Sequence, residues 1–371
     1  MRKEAFTGDP SSKVGAMISR ELGNSVQGEM TTESIGLPDH ALIGKAANIP
    51  INAAEPVVSV SPVVMSIPGR AVDLQIRISA PVTGSDLPII LLSHGQGFSN
   101  NLSSLNGYGP LAQFWAAHGF VVIQPTHLGS RTLKLDPNTP GAPIFWRSRV
   151  DDMSHIIDRL DTVEASLPGL AGRLDPSLIA VAGHSMGGHT AGMLLGARLI
   201  DPEDGAEIDM IDRRIKAGVL LAAPGDGGAS LNAFATEAVP CFRHPSFEKM
   251  TTPALIVVGD RDASKYLTVR GPDWHADPYR LSTGPKSLLT LYGGEHILGG
   301  VSGYDAAETT DESPERVATI QRMTWAYLRS ELYPGDPAWA TACVAFADLT
   351  SLGTIENKGR NAAASGKGVT P

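Results

Sequence analysis

Ala180-Val181-Ala182-Gly183-His184-Ser185-Met186-Gly187-Gly188-His189 passes from strand to helix through one very tight turn. Residues 178–182 are a short apolar run suited to a buried strand. Gly183-x-Ser185-x-Gly187 follows at once, and a helix is expected from Met186 to about residue 199. A serine at such a turn sits in strained backbone that only glycine-sized neighbours permit. The strain lifts its hydroxyl above the sheet. The N–H of Met186, at the start of the helix, lacks an intrahelical acceptor and can meet a developing oxyanion. The chain holds 40 glycines, so a five-residue Gly/Ser pattern can also arise by chance. The flanking segments must decide.

Upstream, residues 87–93 and 120–124 are continuous apolar runs, the mark of strands buried on both faces. Downstream, residues 217–223 are of the same kind, and residues 253–259 and 286–292 read as further strands. Helical patterns lie between and after them: residues 110–117, a long amphipathic helix within 144–167, residues 314–332 and a final helix within 339–355. Residues 57–65 and 71–78, joined through Pro68-Gly69, read as an antiparallel hairpin at a sheet edge. Alternating strands and helices predict an α/β fold of about eight strands, mostly parallel, with helices on both faces. The expected organisation is an N-terminal arm over 1–55 with a short helix near 14–22, and a catalytic domain over 56–335 with a small cap at 224–250. A C-terminal extension over 336–356 and a disordered tail over 357–371 complete it.

A serine hydroxyl needs a general base, and the base needs an orienting acid. Both are available downstream, in loops that follow the C-terminal ends of strands, where an open α/β sheet gathers its site. Residues 254–259 run into Asp260-Arg261-Asp262, and residues 286–292 run into Gly293-Gly294-Glu295-His296. The order Ser185, Asp262, His296 is that of a serine hydrolase on such a sheet. Asp262 is favoured because it lies past its strand with loop enough to reach the histidine; Asp260 and Asp226 are the alternatives. His94-Gly95-Gln96-Gly97 follows an upstream strand and offers a second oxyanion donor, the N–H of Gln96, beside that of Met186. Of the other histidines, His40, His118, His155 and His244 read as surface or packing residues, and His184 and His189 as elbow residues facing away from the base position. His127, near a strand tip, is expected to line the substrate pocket with Phe98 and Trp146. Trp115, Phe145, Tyr266 and Trp274 are further aromatics near strand ends, and two or three of these rings in the cleft would suit an aromatic or bulky ester.

Charge and composition exclude other classes. Lys+Arg 30 against Asp+Glu 39 gives −9, which argues against nucleic acid or an anionic membrane surface as partner. No run reaches the roughly 18 apolar residues of a membrane span. The first ten residues carry no apolar h-region, so the sequence predicts no signal peptide and a cytoplasmic protein. Cys241 and Cys343 form neither a disulfide framework nor metal-ligand spacing and read as two buried thiols. The acidic stretch 201–209 lacks calcium-loop spacing and reads as a solvated loop. Gly366-Lys367 has Asn at 361 where a P-loop needs glycine, and Gly95-x-Gly97 lacks the third glycine of a dinucleotide site. No metal or organic cofactor is expected.

Together, His94-Gly-x-Gly97, Gly183-His-Ser-Met-Gly187, Gly259-Asp-Arg-Asp262 and Gly294-Glu-His296 resemble the α/β-hydrolase superfamily. Trp115-Ala-Ala-His-Gly119-Phe-Val-Val-Ile123 with Gly183-His-Ser-Met-Gly-Gly188 is similar to the branch of type II platelet-activating-factor acetylhydrolases, chlorophyllases and bacterial polyester hydrolases. The resemblance covers about residues 57–332 and implies cofactor-free hydrolysis of a carboxylic ester through an acyl-serine, here expected to be a small or medium one. His189 departs from it, standing where polyester hydrolases usually carry glycine, as do the arm and the C-terminal extension. A non-catalytic ligand-binding relative and an acyltransferase using the same three residues are the alternatives.

Overall fold

The structure, a computed structural model, describes residues 42–359. The helix expected at 14–22, most of the arm, His40 and the tail beyond residue 359 lie outside the described residues. The strands are β1 (Val57–Met65), β2 (Leu74–Pro81), β3 (Leu87–Ser93), β4 (Val121–Thr126), β5 (Leu174–His184), β6 (Arg198–Ile200), β7 (Glu207–Asp209), β8 (Ile215–Leu221), β9 (Pro245–Ser246), β10 (Ala254–Gly259), β11 (Lys286–Leu291) and β12 (Gly353–Lys358). The helices are α1 (Gly109–Ala117), α2 (Trp146–Ile157), α3 (Leu160–Ser166), α4 (Met186–Leu194), α5 (Ala233–Ala238), α6 (Asp277–Leu281), α7 (Pro314–Leu332) and α8 (Ala338–Ala347).

One nine-stranded sheet runs in the order β1-β2-β4-β3-β5-β8-β10-β11-β12. The stretch from β4 to β11 is parallel; β1 and β2 pair antiparallel at one edge and β12 antiparallel at the other. The fold is therefore mixed α/β with a mostly parallel sheet, one strand larger than expected. Its apolar runs are buried on both faces by alternation. Ile89, Leu91, Val121, Ile123, Val181 and Ile256 point into a core shared with Met153 and Ile156 of α2 and Met193 of α4. Ile90, Leu92, Val122, Ala182 and Leu255 point the other way, against Trp115 of α1 and Ile320, Met323 and Tyr327 of α7. Helix α7 occupies the predicted span: Ser313 caps its N-terminus by accepting from the Arg316 N–H, Pro314 begins it and Glu315 sits in its first turn.

Several expectations change. The long helix within 144–167 is two, because the Arg159 backbone leaves the helical region (φ −130°, ψ 37°) and the guanidinium bonds the Ser66 carbonyl. Helix α4 stops before residue 199, at left-handed Gly196 (φ 104°), and residues 198–200 enter β6. The acidic stretch 201–209 closes a β6–β7 hairpin in a second, three-stranded sheet rather than a free loop, with Arg198 bonded to Glu207 and Asp209. The final helix ends at Ala347, and residues 353–358 join the main sheet as β12. Asn357 and Lys358, expected in the tail, thus belong to a strand. Cys241 is buried as expected, but Cys343 is only half-buried on α8.

The register lines the site up. Ser93 of β3 pairs with Gly183 of β5, His184 of β5 with Leu221 of β8, and Gly259 of β10 with Leu291 of β11. The loops after β3, β5, β8, β10 and β11 consequently leave the sheet at one edge, side by side.

Candidate active site

Ser185 caps α4 with φ 54° and ψ −119°, a region that side chains rarely adopt. Three glycines make the turn possible. A Cβ at Gly183 would overlap the Gly187 carbonyl, one at Gly187 would overlap the Ser93 carbonyl, and one at Gly188 would press on Ala223. The chain thus folds back on itself at van der Waals contact and leaves Ser185 half-buried, between two buried neighbours.

His296 Nε2 lies 2.9 Å from Ser185 Oγ, and its Nδ1 lies 2.8 Å from Asp262 Oδ2. Asp262 is 2 % exposed. Burial alone would raise its carboxyl, but the charge on His296 and hydrogen bonds from His275 and His296 outweigh that and hold it far below the usual carboxylate range. Of the alternatives, Asp260 is exposed and accepts the Gly293 N–H at 2.7 Å, while Asp226 accepts the Gly227 N–H at 2.9 Å. Both brace loops and neither bonds His296.

Sequence reasoning missed His275. It sits in the turn Pro272–Ala276, buried, with Nδ1 2.7 Å from the Ala223 carbonyl and Nε2 3.0 Å from Asp262 Oδ2. Ser264 Oγ completes the group, 2.7 Å from Asp262 Oδ1 and 3.0 Å from His275 Nε2. No strand end marks residue 275, and only the helical turn brings it to Asp262. Asp262, His275 and His296 place ligand-type atoms within 4.8 Å of one another, but all three are engaged in these hydrogen bonds, which suffice to explain the cluster.

The loop after β3 is fastened to the elbow from several sides. The Gly95 N–H donates to Tyr108 Oη (2.9 Å), Tyr108 Oη lies 2.8 Å from His184 Nδ1, and His184 Nε2 lies 2.7 Å from the His296 carbonyl. A carbonyl only accepts, so His184 carries its proton on Nε2 and receives the Tyr108 proton on Nδ1. Burial, reinforced by the charge of His296, pulls His184 down to about 3 and keeps it neutral. Buried Arg149 of α2 donates to the His94 carbonyl and, at 3.2 Å, to Thr190 Oγ1, which itself bonds the Met186 carbonyl. Burial lowers Arg149 to about 10, so it remains a cation at neutral pH. Loop and elbow helix, the two expected sources of oxyanion donors, are therefore cross-braced. The amides of Gly95 and Ser185 are spent on Tyr108 Oη and the Leu221 carbonyl; those of Gln96 and Met186 find no acceptor among the described residues.

The expected substrate residues fare differently. His127 is fully buried, not a pocket residue: Nε2 meets Ser93 Oγ and Nδ1 meets Asp152 Oδ2, each at 2.9 Å, and Arg70 pairs with Asp152 at 2.8 Å. This is a second Ser–His–Asp line, sealed beneath the loop where it can only brace. Trp146 lines a groove of about 510 Å³ with Phe145, Arg147 and His155 that includes none of Ser185, Asp262 and His296. Phe98 is 65 % exposed on the β3 loop. Trp115 and Trp274 are core. Tyr266, more than half exposed, meets His296 edge-on with ring centroids 6.1 Å apart. Residues 224–250, the expected cap, contain α5, and Asn232 ties them to the Tyr266 loop through the Lys265 carbonyl. As expected, His155 and His244 lie at the surface or half-buried, and His118 packs against Asn52.

His189 carries a stability consequence. Neither ring nitrogen has a partner among the described residues, the ring packs 5.2 Å from Phe242, and burial pulls it down to about 4. The unfolded chain therefore binds more protons than the folded one between about pH 6.5 and 4, so stability rises with pH there and is lost on acidification. His184 acts in the same direction. His189→Leu is expected to be no less stable than the parent at pH 8, because no bond is lost, and to flatten the fall below pH 6.5. Urea unfolding at both pH values checks this; an unchanged acid slope would contradict it.

No helix of the described residues is long and apolar enough to cross a membrane. Compared with known proteins, the chain matches no family model and no curated protein.

Proposed function

We propose that the chain adopts an α/β-hydrolase fold, on the lines of the branch it resembles in sequence, and is a serine carboxylesterase. The observation that carries this is the unbroken line from Ser185 Oγ, on a residue that is only half-buried, through His296 to buried Asp262, with steps of 2.9 and 2.8 Å. His296 Nε2 takes the Ser185 proton as Oγ attacks the ester carbonyl. Asp262 holds the resulting imidazolium, and the Gln96 and Met186 N–H groups receive the oxyanion. His296 then protonates the leaving alkoxide, and water, deprotonated by the same nitrogen, cleaves the acyl-serine. The chemistry needs no metal or cofactor. Tyr266 at the edge of His296 supports a small or medium ester with an apolar or aromatic group.

An acyl-enzyme gives a burst. Mixing the protein with p-nitrophenyl acetate is expected to release one equivalent of p-nitrophenol before the steady state, and added methanol is expected to yield methyl acetate. Absence of turnover on every activated ester, with tight binding of one, would favour a ligand-binding protein instead.

A further inference from the structure

We infer that His275 donates from both ring nitrogens, to the Ala223 carbonyl and to Asp262, and acts as a positioning residue for His296, sharing Asp262 with it; the role in turnover rests on the esterase reading above. The argument is one of bond direction. The Ala223 carbonyl can only accept, so His275 Nδ1, 2.7 Å away, carries a proton. His275 Nε2 faces Asp262 Oδ2 and Ser264 Oγ, each at 3.0 Å. The Ser264 proton is directed to Asp262 Oδ1 at 2.7 Å. A bare Nε2 would aim its lone pair at a carboxylate and at a hydroxyl whose proton is engaged elsewhere. A proton on Nε2 removes both conflicts and gives buried Asp262 a second charge-assisted bond.

The consequence falls on His296. The two rings lie 5.6 Å apart. A positive charge on His275 at that distance acts on His296 against the pull of Asp262. The other titratable groups against this unit are His184, 5.1 Å from His296 and itself bonded to Tyr108, and Tyr266. Arg270 and Asp277, on the same segment as His275, are paired with each other.

His275→Gln keeps a donor and removes the charge. The acid limb of its kcat/KM profile for p-nitrophenyl acetate is expected to move up by about one pH unit, the size of effect a like charge within roughly 6 Å exerts. A loss of packing alone would lower activity without moving the limb. In parallel, 15N-histidine spectra of the unaltered protein at pH 7.5 are expected to show His275, assigned through its backbone, protonated on both ring nitrogens. A His275 ring with one bare nitrogen, or a folded His275→Gln whose acid limb does not move, would overturn the inference. The spectrum needs neither turnover nor a folded variant, so a failure here is distinguishable from failure of the esterase reading.

Discussion

Ser185→Ala is expected to lower kcat on p-nitrophenyl acetate by on the order of 10⁶, leaving only what the oxyanion donors and binding contribute. The substitution removes one hydroxyl whose side-chain partner is His296, and alanine meets the same left-handed backbone as serine. Stability should shift by no more than about 1 kcal/mol, as for a partly exposed site. The natural control is Ser93→Ala, which cuts the other Ser–His–Asp line in the molecule. Ser93 is fully buried, and its loss strands His127 Nε2 without a donor. That should cost about 1–3 kcal/mol of stability while turnover stays within about tenfold of the parent. The pair of variants separates nucleophile from brace, and reversal of the two outcomes would exchange their roles.

Asp262→Asn carries the second large effect, a fall in kcat of about 10⁴. Asparagine fills the same space, but its amide can donate to His296 Nδ1 and so favour the tautomer with the proton on Nε2, facing Ser185, where it cannot act as base. It also leaves His275 against a neutral group, so the melting temperature should fall as well. Asp260→Asn should cost less than about tenfold, because Asp260 is exposed and its carboxylate accepts only the Gly293 N–H among the described residues. A larger loss for Asp260→Asn than for Asp262→Asn would reassign the acid.

What could be read in the sequence follows from physical periodicity. Runs such as Leu87–Ser93 are buried along their whole length because both faces meet a core, and that leaves an unmistakable apolar block. The loops that follow them hold the candidate residues at the strand ends, so Ser185, Asp262 and His296 were legible in order, and the structure brings them together. Edge strand β12, Gly-Thr-Ile-Glu-Asn-Lys, has one half-solvated face and too few apolar residues to announce itself. His127 misled because a strand-end position says nothing about which way the following loop is covered; the loop after β3 covers this one. Trp146 misled for a related reason, opening onto a different groove. His275 was invisible because its approach to Asp262 depends on a tertiary path through the turn Pro272–Ala276. The two Ser–His–Asp lines make the same point together: residue types and distances are nearly equal, and the elbow backbone and access to solvent distinguish Ser185 from Ser93.

The most direct test is covalent. A fluorophosphonate should react once per chain, and peptide mass spectrometry should place the phosphonyl group on Ser185, with hydrolysis of p-nitrophenyl acetate lost in proportion to labelling. A label on any other residue, or full ester hydrolysis with Ser185 fully modified, would contradict Ser185 as the nucleophile.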